Sequence, residues 1–440
     1  MQSFVSDKKG SSPVTYGLIG EHLPHSFSKE IHRRCADYEY RLLELCPDEV
    51  APFMESADFL AINVTIPYKQ VVMPYLDSIH EAARAIGAVN TIVKRDGRLF
   101  GYNTDFYGLR ALVNRTGISL AGKKVLILGT GGTAHTARAV AAAEGAREIL
   151  TATRRPEGDY ISYDDIYRDH TDAQVIFNTT PCGMYPKPDG GDGIAGCAVD
   201  ISRLPELALV IDAVYNPLRT NLVLDARERG IPAEGGLYML VAQGVVASRV
   251  FLGERIEDVV KSEDVIALCE RIHAEVSREK ENIVLTGMPG SGKTTVGRLL
   301  SETLERPFVD TDEEIVKRAG KPIADIFKEC GEEGFRELEA AVIRDVGNEY
   351  RGAVIATGGG AILRDDNLRA LRRAGRLYFL DRPLEDLLPT PDRPLASSAE
   401  AISRRYNERY PRYCATADVR ISHPASPEDA VLAIRKDFFK

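Results

Sequence analysis

Short runs of branched aliphatic residues alternate along this chain with stretches whose apolar positions recur at helical spacing. Residues 15–20, 60–64, 124–128, 148–153, 283–286 and 353–356 read as buried strands, each bounded by glycine or polar residues. Asp96-Gly97 between two apolar runs predicts a tight hairpin. Helical patterns cover 137–144, 263–281 and 295–303, and Phe335, Leu338, Val342 and Val346 form one apolar stripe. Strands alternating with helices throughout predict the α/β class with mostly parallel sheets, and no repeat of solenoid period is visible.

At 440 residues the chain has room for two to four folded units. The pattern breaks near 275–281, where the charged run Ser-Arg-Glu-Lys-Glu-Asn precedes a new strand, and a fresh βαβ start follows residue 123. Apolar residues make up 44% and charged residues 28%, an ordinary globular balance that excludes wholesale disorder. The 56 Lys+Arg against 65 Asp+Glu leave a net charge of -9, so no general attraction to nucleic acid or anionic membrane is expected. No apolar run reaches the ~20 residues of a spanning helix, and the polar start MQSFVSDKKGSS predicts a soluble, cytoplasmic protein. Cysteines 35, 46, 182, 197, 269, 330 and 414 are odd in number and contain no C-x-x-C pair, which points to neither a disulfide framework nor a zinc site.

Candidate chemistry begins after strand 124–128, where Gly129-Thr130-Gly131-Gly132-Thr133 leads into an Ala-rich helix. Glycines there let the backbone approach a pyrophosphate, whose charge the N–H groups and the helix N-terminus stabilise. The next strand ends at Thr153-Arg154-Arg155 without the acidic residue that would hold a free ribose 2′-hydroxyl. An arginine suits a 2′-phosphate, so the expected cofactor is NADP(H) rather than NAD.

Several separated motifs carry a resemblance over residues 14–270. Ser26-Phe-Ser28, Asn63-Val-Thr65-Ile-Pro67-Tyr-Lys69, Gly87-Ala-Val-Asn90-Thr and Asn103-Thr-Asp105 resemble shikimate dehydrogenase segments. So do Asn178-Thr-Thr180, Asp212 with Ala213 and Tyr215, and Gly236-Leu-x-Met239 through Gln243. The resemblance implies that Ser26, Ser28, Thr65, Asn90, Tyr215 and Gln243 bind a small polyol acid, that Ala213 and Gly236 help hold the cofactor, and that Lys69 and Asp105 are catalytic. Ketone reduction leaves an alkoxide that needs a proton and a nearby positive charge, which a lysine beside a carboxylate supplies. Pro67 suits a first helical turn, so Lys69 is expected early on a helix following strand 60–64. The usual second arginine after Arg154-Arg155 is missing at its expected offset.

A second phosphate loop, Gly287-Met-Pro-Gly290-Ser291-Gly292-Lys293-Thr294-Thr295, fits G-x-x-x-x-G-K-[ST] between a strand and a helix. Its backbone would ring phosphates, Lys293 would reach the β/γ oxygens, and Thr294 would bind Mg2+. From residue 282 onward the chain resembles shikimate kinase. The resemblance implies Asp310 as Mg2+ support and Asp312 as proton acceptor for a substrate hydroxyl. It further implies Arg336, Glu339, Gly359, Gly360 and Arg409 as substrate contacts, and Arg393 as a lid arginine on the transferring phosphoryl group. Residues 386–392 are short and Pro-rich and lack the family's adenine-stacking arginine, which predicts a shortened lid and altered nucleotide preference.

The domains expected are a substrate lobe at 1–113, completed by helices at about 237–275, an NADP lobe at 114–236 and a kinase at 281–440. The function implied is bifunctional: NADPH reduction of 3-dehydroshikimate to shikimate, then ATP-dependent phosphorylation of shikimate. The alternatives are a quinate/shikimate dehydrogenase fused to a weak kinase, and a non-catalytic shikimate-binding sensor. Small molecules, not nucleic acid or membrane, are the expected partners.

Overall fold

The computed structural model describes residues 14–23, 26–186, 199–387, 399–422 and 424–440. The chain divides into two compact units, one of residues 1–180, 198–215 and 226–274, the other of residues 181–197, 216–225 and 275–440.

The first unit holds two sheets. Strands β1 (Val14–Gly20), β2 (Tyr40–Glu44), β3 (Phe59–Val64), β4 (Ser78–Ile79), β5 (Thr91–Arg95) and β6 (Arg98–Tyr102) run in the order β2-β1-β3-β5-β6-β4. The pairs β3·β5 and β5·β6 are antiparallel. This lobe is therefore mixed, and the expected hairpin closes through Asp96 and Gly97 at φ 51° and 76°, the left-handed pair of a type I′ turn. Strands β1 and β3 are parallel neighbours, so their C-terminal ends share one sheet edge. Antiparallel pairing then brings the start of β5 and the end of β6 to that same edge. Residues 21–23, 26–28, 65–69, 90–91 and 103–105 all emerge there.

Strands β7 (Lys124–Leu128), β8 (Glu148–Ala152), β9 (Val175–Asn178), β10 (Leu209–Asp212) and β11 (Ala233–Glu234) form the second sheet, all parallel, in the order β11-β10-β9-β7-β8. Val125, Leu126, Ile127 and Leu128 are fully buried, as a parallel strand covered on both faces requires. Successive connections leave β7 in opposite directions, which opens a crevice at the strands' C-terminal ends.

Four helices matter for the sites of this unit: α1 (Ser28–Cys35), α2 (Thr104–Arg115), α3 (Gly132–Ala143) and α4 (Leu237–Phe251). Helix α3 starts five residues before the apolar pattern at 137, since its first turn is the glycine loop itself. Helices α2 and α4 pack closely at Gly108, where an added Cβ would lie 2.6 Å from the Met239 carbonyl oxygen. Helix α5 (Glu263–Lys280) leads to the second unit.

That unit carries β12 (Asn282–Thr286), β13 (Phe308–Asp310), β14 (Val354–Ala356), β15 (Gly375–Asp381) and β16 (Val419–Ser422) in the parallel order β13-β14-β12-β15-β16. Around the sheet lie α6 (Lys293–Leu304), α7 (Thr311–Ala319), α8 (Ile323–Glu349), α9 (Ala399–Thr416) and α10 (Pro427–Phe438). Helix α8 is kinked at Gly331, φ 70°. Phe335, Val342, Ile343 and Val346 join the core on one side of the sheet, with Leu338 half-buried against it. Ile283, Leu285, Val296 and Ile434 form the core on the other side.

Candidate active sites

At the shared edge of the first sheet, Lys69 Nζ lies 2.6 Å from Asp105 Oδ2, with the two side chains 17% and 14% exposed. Asp105 reaches this place because Asn103 caps α2, its side chain accepting from Phe106 N–H at 3.0 Å. Lys69 does not stand on an α-helix, contrary to the sequence expectation. Residues 66–72 form successive turns, and the Lys69 carbonyl accepts from Val89 N–H at 2.8 Å instead of continuing a helical ladder. The same bond draws the segment before Asn90 toward Lys69.

Asn90 is held rigidly. Its Oδ1 accepts from Thr104 N–H at 2.6 Å and from Thr91 Oγ1 at 3.1 Å, while Nδ2 donates to Thr104 Oγ1 at 3.0 Å. Thr104 Oγ1 lies 3.4 Å from Gln243 Oε1, which links α2 to α4. Asn63 stiffens the same edge by donating to the Asn90 carbonyl and to Thr91 Oγ1, and it accepts from Tyr40 at 2.8 Å. Tyr40 was not singled out from sequence; no motif marks it. Ser26 Oγ accepts from Ser28 N–H at 3.3 Å, and Ser28 is buried as the first residue of α1. Thr65 N–H donates to the Ile19 carbonyl, tying the ends of β1 and β3 together. The Tyr215 ring meets Phe27 edge-on at 5.2 Å, and burial raises its phenol pKa.

In the second sheet Gly129, at φ 100°, lies against Thr179 and Thr180, a position only glycine adopts without strain. Cβ atoms added at Gly131 and Gly132 would meet nothing within 4 Å, so the loop faces open space of the kind a pyrophosphate needs. Gly236 packs so tightly that a Cβ would collide with the Ala213 carbonyl. Asn178 Nδ2 donates to Asp212 Oδ1 at 3.0 Å, joining the ends of β9 and β10. A cavity of about 420 Å³ is lined by Thr130, Ala134, His135, Arg138, Thr151, Asp159 and Tyr160. Thr133 and Thr153 stand close to its lining residues Ala134 and Thr151 along the chain, whereas Arg154 and Arg155 are exposed and do not line it.

The third site follows β12. Gly290 and Gly292 have φ 82° and 89°, and Gly292 caps α6. Lys293, only 5% exposed, donates to the carbonyls of Gly287 and Met288, both at 2.9 Å. Ser291 Oγ is buried with no hydrogen-bond partner among the described residues, and a Cβ at Gly292 would meet open space. An orphaned hydroxyl beside an open loop fits a ligand rich in acceptors. Thr294 Oγ1 donates to Asp310 Oδ2 at 2.8 Å, and Asp310 caps α7 by accepting from Asp312 N–H at 2.9 Å. Thr295 is exposed.

Arg336 Nη1 and Glu339 Oε2 pair at 2.7 Å with side chains 15% and 1% exposed, so this is a buried pair rather than a surface i,i+3 contact. Burial raises the Glu339 carboxyl pKa against the pull of Arg336. A Cβ at Gly358 would touch both Asp312 and Glu339 carboxylates, and one at Gly360 would overlap the Arg336 guanidinium. Arg409 Nη1 donates to the Gly359 carbonyl at 3.0 Å, and burial lowers its pKa. The Tyr413 hydroxyl lies 2.9 Å from the Gly287 carbonyl and 2.6 Å from that of Gly359, clasping both loops with one proton. Arg393 and most of the 386–392 segment lie outside the described residues, as does Cys197.

The architecture is that of a two-lobed dinucleotide-dependent oxidoreductase followed by a P-loop phosphotransferase domain. Comparison gives the particular families. Residues 18–92 match the family described as shikimate dehydrogenase substrate binding domain, and residues 289–437 match shikimate kinase. The shikimate dehydrogenase (NADP(+)) of Clostridium perfringens strain SM101 is 36% identical over 260 residues, which cover 55% of this chain and 93% of that protein. Its Geobacillus kaustophilus counterpart is 36% identical over 261 residues, 54% of this chain and 92% of that protein. Among solved structures, shikimate dehydrogenase 1 of Peptoclostridium difficile has a TM-score of 0.52 at 30% identity, covering 60% of this chain and 97% of that one. A chorismate mutase/shikimate 5-dehydrogenase fusion from Clostridium acetobutylicum gives 0.53 at 31%, covering 60% and 99%. The chain belongs to the shikimate dehydrogenase family and carries a shikimate kinase domain behind it. No helix among the described residues is long and apolar enough to cross a membrane.

Proposed function

We propose that this chain is a bifunctional enzyme of two consecutive steps, reducing 3-dehydroshikimate to shikimate with NADPH and then phosphorylating shikimate with ATP. The observation that carries the reading is the coexistence of the 2.6 Å Lys69–Asp105 pair with a complete phosphate loop closed by Lys293 and Thr294.

In the first step bound NADPH supplies a hydride to the carbonyl carbon. Lys69, as an ammonium, donates its proton to the developing alkoxide, and the Asp105 carboxylate, 2.6 Å away, holds that ammonium in place. Ser26, Ser28, Thr65, Asn90, Tyr215 and Gln243 read the carboxylate and hydroxyls. Asn90 has Oδ1 committed to the Thr104 N–H, so it offers the substrate a donor. Gly129 to Thr133 receive the pyrophosphate, while Ala213 and Gly236 line the nicotinamide end.

In the second step Asp312 accepts the proton of the substrate hydroxyl. Arg336 and Arg409 grip the substrate carboxylate, with Gly359 and Gly360 giving backbone access. Arg336 is already aimed by Glu339. Lys293 exchanges the loop carbonyls for phosphate oxygens, and Arg393 covers the transferring group. Thr294 and Asp310 would hold Mg2+, which neutralises phosphate charge when bound. A pure sensor would need neither the Lys69–Asp105 proton donor nor this phosphate cradle.

A coupled assay tests the reading: purified protein should oxidise NADPH with 3-dehydroshikimate and form ADP with shikimate. Silence of either half, or a preference for quinate with NAD, overturns it.

A further inference from the structure

We propose that Arg138 and His135 on helix α3 read the 2′-phosphate of the dinucleotide and supply the cation that the sequence lacks after Arg154-Arg155. The inference rests on the reading of this lobe as an NADP(H) site. His135 and Arg138 stand three residues apart and so share one helix face, and both line the cavity of about 420 Å³ together with Thr130 and Thr151. Leu128 and Ala152 are paired, so the glycine loop and the end of β8 leave the sheet side by side. The cavity therefore lies between the phosphate loop and the end of the second strand, where the ribose 2′ position of a dinucleotide is read.

Among the described residues, the hydrogen bond of the Arg138 side chain is a long one, Nη1 to Thr151 Oγ1 at 3.4 Å. Its remaining N–H groups can form a two-pronged contact with a phosphate, which a guanidinium does well. Arg154 and Arg155 are exposed and lie off the cavity. Asp159 lines the same cavity and opposes a second negative charge, so the pocket's preference is a balance of the Arg138 guanidinium and the His135 ring N–H against one carboxylate. That balance gives substitutions of opposite sign.

The test is calorimetric titration of the full chain with NADP+, NAD+ and 2′,5′-ADP, without turnover. Arg138→Ala should weaken NADP+ and 2′,5′-ADP about tenfold or more and leave NAD+ within about twofold, since only the phosphate-bearing ligands lose a charge-assisted contact. His135→Gln should weaken the same two ligands by a smaller factor. Asp159→Asn should tighten NADP+ about threefold without altering NAD+, by removing a like charge. Because that gain cannot come from misfolding, it keeps the test sharp if Arg138→Ala is unstable. Equal losses for NADP+ and NAD+, or an Arg138→Ala protein that retains wild-type preference, refute the assignment. A wild-type protein that binds the two dinucleotides equally would instead overturn the NADP(H) reading beneath it.

Discussion

Replacing Lys69 by Met keeps the aliphatic stem and removes only the ammonium. At 2.6 Å from Asp105, and at the effective dielectric of ~20 that suits partly buried sites, the direct attraction is at most about 6 kcal/mol before desolvation is subtracted. The catalytic loss is bounded separately: a positioned proton donor contributes about 10²- to 10⁴-fold, or about 3 to 5 kcal/mol of barrier. NADPH oxidation with 3-dehydroshikimate should therefore show kcat reduced by that factor. KM should change less than about tenfold, because the ammonium matters most once charge develops on oxygen. Phosphorylation of shikimate in the same sample should be untouched. Asp105→Asn keeps the shape but leaves Lys69 without its counter-charge, and should lower kcat. A Lys69→Met protein that stays folded and keeps more than about a tenth of wild-type kcat would falsify the proton-donor role, since even the low end of general-acid catalysis exceeds that.

Three further outcomes follow from particular contacts. Lys293→Met should abolish ADP formation, by about 10²-fold or more, while NADPH oxidation persists; loss of both activities together would point to a folding defect instead. Gly360→Ala places a methyl on the Arg336 guanidinium, so the shikimate KM of the kinase should rise about tenfold with dehydrogenase kinetics unchanged; an unaltered KM counts against Arg336 as the carboxylate grip. His32 is fully buried, stacked on Tyr40, and burial lowers its imidazole to about 3, far below its unfolded value of 6.5. The unfolded chain then binds the extra proton first, so stability should fall by about 1.4 kcal/mol per pH unit below pH 6.5 from this group. Urea unfolding of wild type and His32→Gln at pH 7 and pH 5 checks this, and identical pH slopes would refute it.

The two phosphate loops were legible because their chemistry is local. Gly129 to Thr133 and Gly287 to Thr294 each combine a buried strand, a glycine-rich turn with at least one positive-φ glycine and a helix N-terminus within about ten consecutive residues. Lys69 and Asp105 were legible as candidates through their motifs, but a motif could not show their separation. That distance depends on antiparallel β5 and β6 returning the chain to the edge where β3 ends. The expected helix at Lys69 failed because a tertiary partner, the Val89 N–H, takes the carbonyl a helix would have used.

At Arg336 and Glu339 the i,i+3 spacing alone describes a surface pair, and only packing against Gly358, Gly360 and the core buries it. Tyr40 carries no local mark, since it acts through Asn63, 23 residues away in sequence. The sequence by itself thus determined the α/β class, the strand-to-glycine-to-helix phosphate loops and the identity of the chemical groups, because these depend on neighbours along the chain. Tertiary structure alone decided which groups meet, which are dry and which face an open cavity, because those properties belong to strand order and packing.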